Sequence, residues 1–350
     1  MLKYYWVITM QKRIEKEDKL LDEKGNIKHP GYATSLILNY DRDDIKAPKT
    51  RIKEWDYYLI YNKDYAIALT IDDNFYMGMV SASFVNLKDK WEKTLSPMYW
   101  FCMGNVNLPP SSKTGNSIKE GKGYSFKYLL EDNKRILDCK IDNFLNNKPY
   151  IIHFELTNEP EDSIVIATPF SKPKHFYYNQ KIVGFSAKGY ITIDGETITF
   201  DNNTYALLDW GRGVWTYKNT WYWGAGCQKV NDDLISFNLG YGFGDTSNAS
   251  ENMVFINGKG YKLDQVEFQI PKNKKGKDDY LSPWKITSND NSINFEFTPT
   301  LDRHANTNAL IIQSNQHQVF GKINGTICID NRTIKVEDFT CFFEKVANRW

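Results

Sequence analysis

The chain has 350 residues and almost no net charge, with 44 Lys and Arg against 43 Asp and Glu. A chain this close to neutral lacks the basic surface of a nucleic-acid-binding protein, so we expect no nucleic-acid partner. Its length favours two domains, and its aromatic content of 15% favours β-strands, whose half-buried faces suit aromatic side chains.

The cysteines and the N-terminus bear on the cellular compartment. Five cysteines form an odd number without a C-x-x-C motif, which predicts free thiols in a reducing compartment rather than disulfides or a zinc site. The N-terminal stretch MLKYYWVITMQKR is too short to span a membrane and has no small-residue cleavage site. We therefore expect a soluble, cytoplasmic protein without an integral membrane segment, and the sequence leaves its oligomeric state open.

Helical patterns are scarce along the chain. Only residues 14–25 suggest one or two helical turns, ended by Gly25. Most other segments alternate polar and apolar residues with the period of two that is typical of strands. The clearest of these segments are 56–71, 74–87, 150–157, 189–200, 234–244 and 325–336. The dipeptides typical of tight hairpin turns are Asp194-Gly195, Asn257-Gly258 and Asn324-Gly325. The sequence thus predicts an all-β, antiparallel fold.

An internal repeat divides the chain. GYITIDGETITFDNNTYALLDWGRGVW at 189–215 resembles GTICIDNRTIKVEDFTCFFEKVANRW at 325–350 with a single one-residue gap. Shorter matches upstream lie at a similar offset, so we expect a duplicated unit. Half of the chain suffices for a barrel of roughly eight strands, which can hold one small ligand. We place an N-terminal domain with an N-terminal extension at 1–212 and a C-terminal domain at 213–350.

The repeat helps to separate scaffold from site. Trp215 recurs as Trp350, so we interpret both as aromatic plugs packed at a barrel end. Asp209 recurs as an acid, Glu344, so its acidity is partly structural. The rest of the turn DWGRG at 209–213 is unique to the first copy, which makes it a candidate site.

Two interpretations of Asp209 and Arg212 remain open. The two residues form a buried pair that ties the domains together, or they bind a ligand and take part in catalysis. Trp210 stands between them in the sequence, and the face of its indole ring is suited to a positive charge.

Three further segments contain candidate site residues. Trp221 and Trp223 alternate onto one strand face ahead of small residues, an arrangement that lines a pocket or packs a core. Glu251 precedes an apolar strand, where it is either a buried general acid or part of a solvated turn. His317 lies in a polar run and is either a proton carrier or a satisfied core residue.

Several cofactor motifs are missing from the sequence. GFSAKG at 184–189 is not a nucleophile elbow, and no helix follows GYGFG at 240–244 as a dinucleotide site requires. There is no P-loop, and the histidines and cysteines lack metal-ligand spacing. We therefore expect neither a cofactor nor a metal.

The stretch LLDWGRGVW, followed by WYW, resembles the L-D-W-G-R-G-x-W signature of a bacterial family described as a domain of unknown function. The resemblance covers nearly the whole chain, from LLDEKGNI at 20–27 to HQVFGKINGTICID at 317–330. That family is similar, more remotely, to two-domain lipocalin-like proteins that include carotenoid hydratases and tocopherol cyclase, which act on long isoprenoid substrates. The resemblance implies two tandem lipocalin-like (calycin-type) antiparallel β-barrels and supplies no catalytic residues.

One function that fits these features is an enzyme that hydrates, cyclises or isomerises an isoprenoid- or lipid-like substrate without a redox cofactor. Asp209 or Glu251 would protonate a double bond or a leaving oxygen, and Arg212 would orient the acid or bind a polar head group. The indole rings that would stabilise the developing cation are those of Trp210, Trp221 and Trp223.

The alternative function is non-catalytic binding of a lipid or another small hydrophobic molecule, with Asp209 and Arg212 as scaffold. A third interpretation is a pair of barrels filled by their own side chains. The site can lie inside one barrel, inside both, or at the interface between the domains.

Overall fold

The computed structural model describes residues 11–309 and 312–349, so residues 1–10 and the expected plug Trp350 lie outside the described residues. Within these ranges the chain forms 25 strands and no α-helix. Two single-turn 3-10 helices occur at Arg42–Asp44 and Lys49–Arg51. The strands β1 (Asp18–Lys19) and β3 (Leu38–Asn39) form a small parallel pair of their own.

The first large sheet has fourteen antiparallel strands and curls into a barrel around a continuous hydrophobic core. Its strands are β2 (Gly31–Ala33), β4 (Ile52–Tyr61), β5 (Tyr65–Asp73), β6 (Met77–Asn86), β7 (Trp91–Leu95), β8 (Met98–Trp100), β9 (Ser117–Gly121), β10 (Tyr124–Glu131), β11 (Lys134–Leu145), β12 (Lys148–Thr157), β13 (Ile164–Pro169), β14 (Phe176–Ile193), β15 (Glu196–Phe200) and β16 (Tyr205–Val214). The order of the main path is β7-β6-β5-β4-β16-β14-β12-β11-β10-β9.

The second large sheet has nine antiparallel strands in the order β20-β19-β18-β17-β25-β24-β23-β22-β21 and encloses its own core. These strands are β17 (Lys218–Val230), β18 (Asp233–Tyr241), β19 (Met253–Ile256), β20 (Lys259–Lys262), β21 (Val266–Gln269), β22 (Trp284–Ser288), β23 (Ile293–Ala309), β24 (Ile312–Ile329) and β25 (Arg332–Arg349). The expected all-β fold of two lipocalin-like barrels is confirmed.

The helical turns expected at 14–25 are wrong. The Asp22 carboxylate there accepts hydrogen bonds from the backbone N–H groups of Lys24 and Asn26, both at 2.9 Å. Such local bonds between a side chain and the backbone compete with helix formation, because they satisfy the same amide groups.

Two of the three expected hairpin dipeptides form turns. Asp194-Gly195 joins β14 to β15 and Asn257-Gly258 joins β19 to β20, and all four residues have a positive φ. Asn324-Gly325 lies instead within β24, at a bulge where the register against β25 shifts. The hairpin turn comes later, at residues 330–331.

The outer faces of the two barrels pack against each other. Leu59, Val183 and Leu207 of the first barrel share a buried cluster with Trp223 and Phe342 of the second. Strands β4 and β16 therefore face a core on one side and the other barrel on the other, and both are buried along almost their whole length. This is why β16 lacks the alternation of polar and apolar residues that marks strands with one wet face.

Candidate active site

Strand β16 carries Asp209 to the interface between the barrels. Successive residues of a strand point to opposite faces, so Asp209 faces the second barrel while Trp210 and Arg212 point into the first. The Asp209 carboxylate Oδ2 lies 2.7 Å from Lys181 Nζ, and its Oδ1 accepts a 2.6 Å hydrogen bond from Asn179. All three side chains are buried, so the ion pair is shielded from solvent.

Arg212 is not the partner of Asp209. Its Nη1 lies 3.0 Å from Asp56 Oδ1, its Nη2 donates to the carbonyl of Pro109 at 2.7 Å, and its guanidinium lies 4.4 Å from the Trp210 ring centroid. The expected buried Asp209–Arg212 pair is wrong, because residues three apart in a strand lie on opposite faces. Trp210 and Arg212 are thus placed inside the first barrel, apart from Asp209.

Glu251 precedes β19 and points into the same interface. It is 9% exposed, so the solvated turn considered for it does not apply. Asn238 Nδ2 donates to Glu251 Oε2 at 3.2 Å, and Asn238 Oδ1 accepts the indole N–H of Trp223 at 2.7 Å. Gly240 leaves space for the carboxyl group, since a Cβ there would lie 2.5 Å from Glu251 Oε1. Burial raises the pKa of Glu251.

Glu344 on β25 is a third acid at this interface. The sequence marked it only as the repeat counterpart of Asp209 and as part of the scaffold. The indole N–H of Trp221 donates to Glu344 Oε1 at 2.9 Å, and Gln318 Nε2 lies 3.4 Å from Oε2. Burial raises the pKa of Glu344 to about 7. The recurrence of an acid in both copies was the signal that could have placed it in the site.

These three acids line one cavity of about 200 Å³ between the barrels. A fourth acid, Asp72 on β5, also lines the cavity and accepts the backbone N–H of Met79 at 2.7 Å. Burial raises the pKa of Asp72 to about 7. The lining contains carboxyl groups, one ammonium and indole rings, a set suited to acid–base chemistry. Within residues 11–309 and 312–349, no group of three or more potential metal ligands lies together.

The remaining lining is largely aromatic. The rings that face the cavity are those of Trp55, Tyr57, Tyr177, Trp215, Trp221, Trp223 and Phe243. Trp215 was expected at a barrel end, but it packs between Trp55 and Trp221, with ring centroids 5.3 and 5.8 Å away. The ammonium of Lys181 lies 3.9 Å from the Trp223 ring centroid. This wall therefore already holds one positive charge against an indole face.

The two barrels contribute matching rows of side chains to the cavity. In the first barrel, neighbouring positions on β14, β16 and β4 are occupied by Lys181, Asp209 and Tyr57. In the second barrel, neighbouring positions on β24, β25 and β17 are occupied by Gln318, Glu344 and Trp223. The rows touch where Gln318 Nε2 donates to the Tyr57 hydroxyl at 3.1 Å. Equivalent strands thus meet across the interface and bring the acids together.

His317 does not reach the cavity. Both of its chain neighbours line the cavity, so the alternation of the strand turns His317 to the opposite face. Its ring stacks between Tyr280 and His304, at centroid distances of 3.8 and 4.0 Å, and its Nδ1 lies 2.7 Å from Asp302 Oδ2. His317 therefore lies apart from Asp209 and Glu251, the other residues that the sequence suggested for proton transfer.

No helix in the described part of the chain is long and apolar enough to cross a membrane. Among solved structures, an AttH candidate from Nitrosomonas europaea has a TM-score of 0.54 and 11% identity, covering 88% of this chain and 96% of its own. Kievitone hydratase from Nectria haematococca has a TM-score of 0.48 and 13% identity, covering 95% of this chain and 98% of its own. The first likeness concerns the fold alone, and the second supports no further conclusion.

The sequence comparisons give the family. No curated protein matches the chain significantly. The model of the domain of unknown function DUF2804 matches residues 11–350, which is nearly the whole chain. This span agrees with the resemblance carried by LLDWGRGVW and the segments on either side of it. The chain therefore belongs to the DUF2804 family.

Proposed function

We propose that the cavity is the active site of an enzyme that uses acid–base chemistry without a redox cofactor. The reaction is a hydration, cyclisation or isomerisation of a small hydrophobic substrate. The observation that carries this proposal is Glu344, a buried carboxyl group that faces an aromatic-lined cavity and has its pKa raised to about 7. A general acid works best when its pKa lies near the working pH.

In this proposal the proton transfer starts at Glu344. The protonated carboxyl group donates its proton to a double-bond carbon or a leaving oxygen of the substrate and becomes a carboxylate. The positive charge that develops on the substrate is attracted by the indole ring of Trp221, whereas the Trp223 ring already lies against the ammonium of Lys181. Water or a group of the substrate then adds to the cationic carbon, or a neighbouring carbon loses its proton. The proton released in that step returns to Glu344 and restores the acid.

Both carboxylate oxygens of Asp209 are already engaged within the first barrel. Oδ2 lies 2.7 Å from the ammonium of Lys181, and Oδ1 accepts a hydrogen bond from Asn179 at 2.6 Å. Glu251 is the second possible donor, because burial raises its pKa and it forms no ion pair among the described residues. We therefore assign proton donation to Glu344, with Glu251 beside it, and charge balance to Asp209 and Lys181.

The volume of the cavity limits the substrate. A protein cavity of about 150 Å³ holds one benzene molecule. The cavity here, at about 200 Å³, therefore suits a ring-sized or short branched molecule. A long isoprenoid would place only one end between the barrels.

Deuterium transfer from the solvent tests the proposal. The protein is incubated in D2O with a fractionated extract of small hydrophobic metabolites, and mass spectrometry follows compounds that gain deuterium at carbon. We expect at least one compound to gain it with the wild-type protein. Glu344→Gln should lower the rate at least about 100-fold, because general acids contribute about 10²- to 10⁴-fold.

The matched control is Glu296→Gln, since Glu296 is an exposed glutamate on β23 and should not affect turnover. Equal deuterium incorporation by Glu344→Gln and the wild type would refute proton donation by Glu344. A hydrophobic molecule that stays bound in native mass spectrometry, without any deuterium transfer, would favour non-catalytic binding instead.

A further inference from the structure

The cavity carries an excess of acids over bases. Asp72, Asp209, Glu251 and Glu344 line it, whereas Lys181 is the single basic residue among its described lining. Lys181 pairs with Asp209 at 2.7 Å. Across the described ranges of the chain, neither Glu251 nor Glu344 has a cation within ion-pair distance. Two carboxyl groups therefore face the cavity without a cation of their own.

The aromatic wall is also suited to a positive charge. Trp215, Trp221 and Phe243 pack edge to face, with ring centroids 5.8, 4.9 and 5.2 Å apart, and continue the wall beyond Trp223. Indole faces attract cations, and the attraction grows where water is excluded. The contact between Lys181 and Trp223, at 3.9 Å, shows such an interaction within the cavity itself.

We propose that the cavity selects organic cations, specifically compact substituted ammonium groups, over neutral molecules of the same shape. This inference rests on the proposed function, because the state after proton transfer also pairs a cationic substrate with the Glu344 carboxylate. A permanently charged ammonium compound mimics that state. The natural substrate is then one that carries a positive charge or gains it during the reaction.

Glu344 is one of three lining acids whose pKa is raised by burial, with Asp72 and Glu251, and all three contribute to how pH affects this binding. The titratable and charged groups that face Glu344 from neighbouring strands are Tyr57, Tyr177, Lys181, Asp209 and Arg303. Burial outweighs the two cations among them and leaves the pKa of Glu344 at about 7. A bound cation favours the carboxylate over the protonated acid, so its affinity rises as pH rises through about 7.

Two probe compounds separate the effect of charge on binding from the effect of shape. They are benzyltrimethylammonium and its uncharged isostere 2,2-dimethylpropylbenzene. Each is titrated into the full chain at pH 8, and binding is followed by tryptophan fluorescence. We expect the ammonium compound to bind at least about tenfold more tightly. Glu344→Gln should remove most of that preference without changing the affinity for the neutral compound, and Glu296→Gln should keep both affinities.

Equal or tighter binding of the neutral compound would overturn the cation preference, even if Glu344 transfers deuterium to a substrate. The two proposals can therefore fail separately. A preference that persists in folded Glu344→Gln would overturn its assignment to Glu344 and leave the cation preference itself supported. If that variant does not fold, the wild-type protein is titrated between pH 6 and 8. The ammonium affinity should then rise at least about threefold while the neutral affinity stays constant, and a flat response would count against the proposal.

Discussion

Lys181 and Asp209 show how single residues in this cavity depend on each other. Their side chains are only 4% and 11% exposed. Removing such ions from water costs several kcal/mol each, and close pairing with further hydrogen bonds offsets that cost. Asn179 supplies a hydrogen bond to the carboxylate, and the Trp223 ring covers the ammonium. Neither charge can therefore be removed alone without leaving the other buried and unpaired.

Asp209→Asn should destabilise the protein by about 3 kcal/mol, because it leaves the Lys181 ammonium buried without a counter-charge. Urea unfolding measures the change in the free energy of unfolding. The double variant Asp209→Leu with Lys181→Met, which removes both charges, should recover much of the loss. A single variant as stable as the wild type would show that Lys181 finds another partner.

Glu344 should make stability depend on pH. Its pKa is raised from 4.5 to about 7, so the folded protein keeps this proton at pH values where the unfolded chain has released it. The free energy of unfolding contributed by Glu344 therefore falls as pH rises from about 4.5 to about 7. The difference in free energy of unfolding between Glu344→Gln and the wild type should therefore shift by about 2–3 kcal/mol in favour of the variant between pH 5 and pH 8. Urea unfolding at both pH values measures this, and a pH-independent difference would contradict it.

At the level of elements, the outer face of β16 explains Gly211, the first glycine of DWGRG. Gly211 lies directly under the Trp55 ring of the neighbouring strand β4, and a Cβ at Gly211 would lie 2.0 Å from that ring. The Trp55 ring in turn stacks on Tyr177, with centroids 6.0 Å apart. The absence of a side chain at Gly211 on β16 thus leaves room for the Trp55 ring of β4, which forms part of the cavity wall.

Gly211→Ala should destabilise the protein by about 1–3 kcal/mol, because the Trp55 ring must move away from the new methyl group. The same shift should weaken binding of benzyltrimethylammonium. Thermal unfolding and the fluorescence titration measure the two effects. Adding Trp55→Phe, which places a smaller ring over Ala, should restore part of the stability. Failure of this second change to help would show that the clash is relieved elsewhere.

At the level of the whole molecule, the cavity belongs to neither barrel alone. Asp209 and Lys181 come from the first barrel, while Glu251, Glu344 and Trp221 come from the second. The barrels also share a buried apolar cluster that continues from the cavity along the interface. Because separation would expose this cluster to water, the two barrels should stabilise each other.

We expect the full chain to unfold in a single transition despite its two cores. Four of the ten tryptophans line the cavity between the barrels, so fluorescence responds to the opening of the interface as well as to the cores. Far-ultraviolet circular dichroism responds to the strands, and the two signals should change together with rising urea. Two separate steps, with fluorescence changing first, would show that the interface opens before either barrel unfolds.

The sequence by itself determined the all-β architecture, because a period of two and hairpin dipeptides such as Asp194-Gly195 act locally. It also indicated Asp209, Glu251, Trp221 and Trp223, since acids and clustered indoles stand out within apolar strands. Given a strand, its period already separates Asp209 from Arg212. The identity of the true partners, Lys181 and Asp56, was not accessible in this way.

Only the tertiary structure decided which candidates meet. Glu344 joins Asp209 because the barrels pack through equivalent strands, and His317 is excluded because its strand turns it to the other face. Local patterns specify which residues share a strand face. The pairing of the outer faces depends on how much apolar area is buried between segments that are far apart in the chain. No single segment of the sequence contains that information.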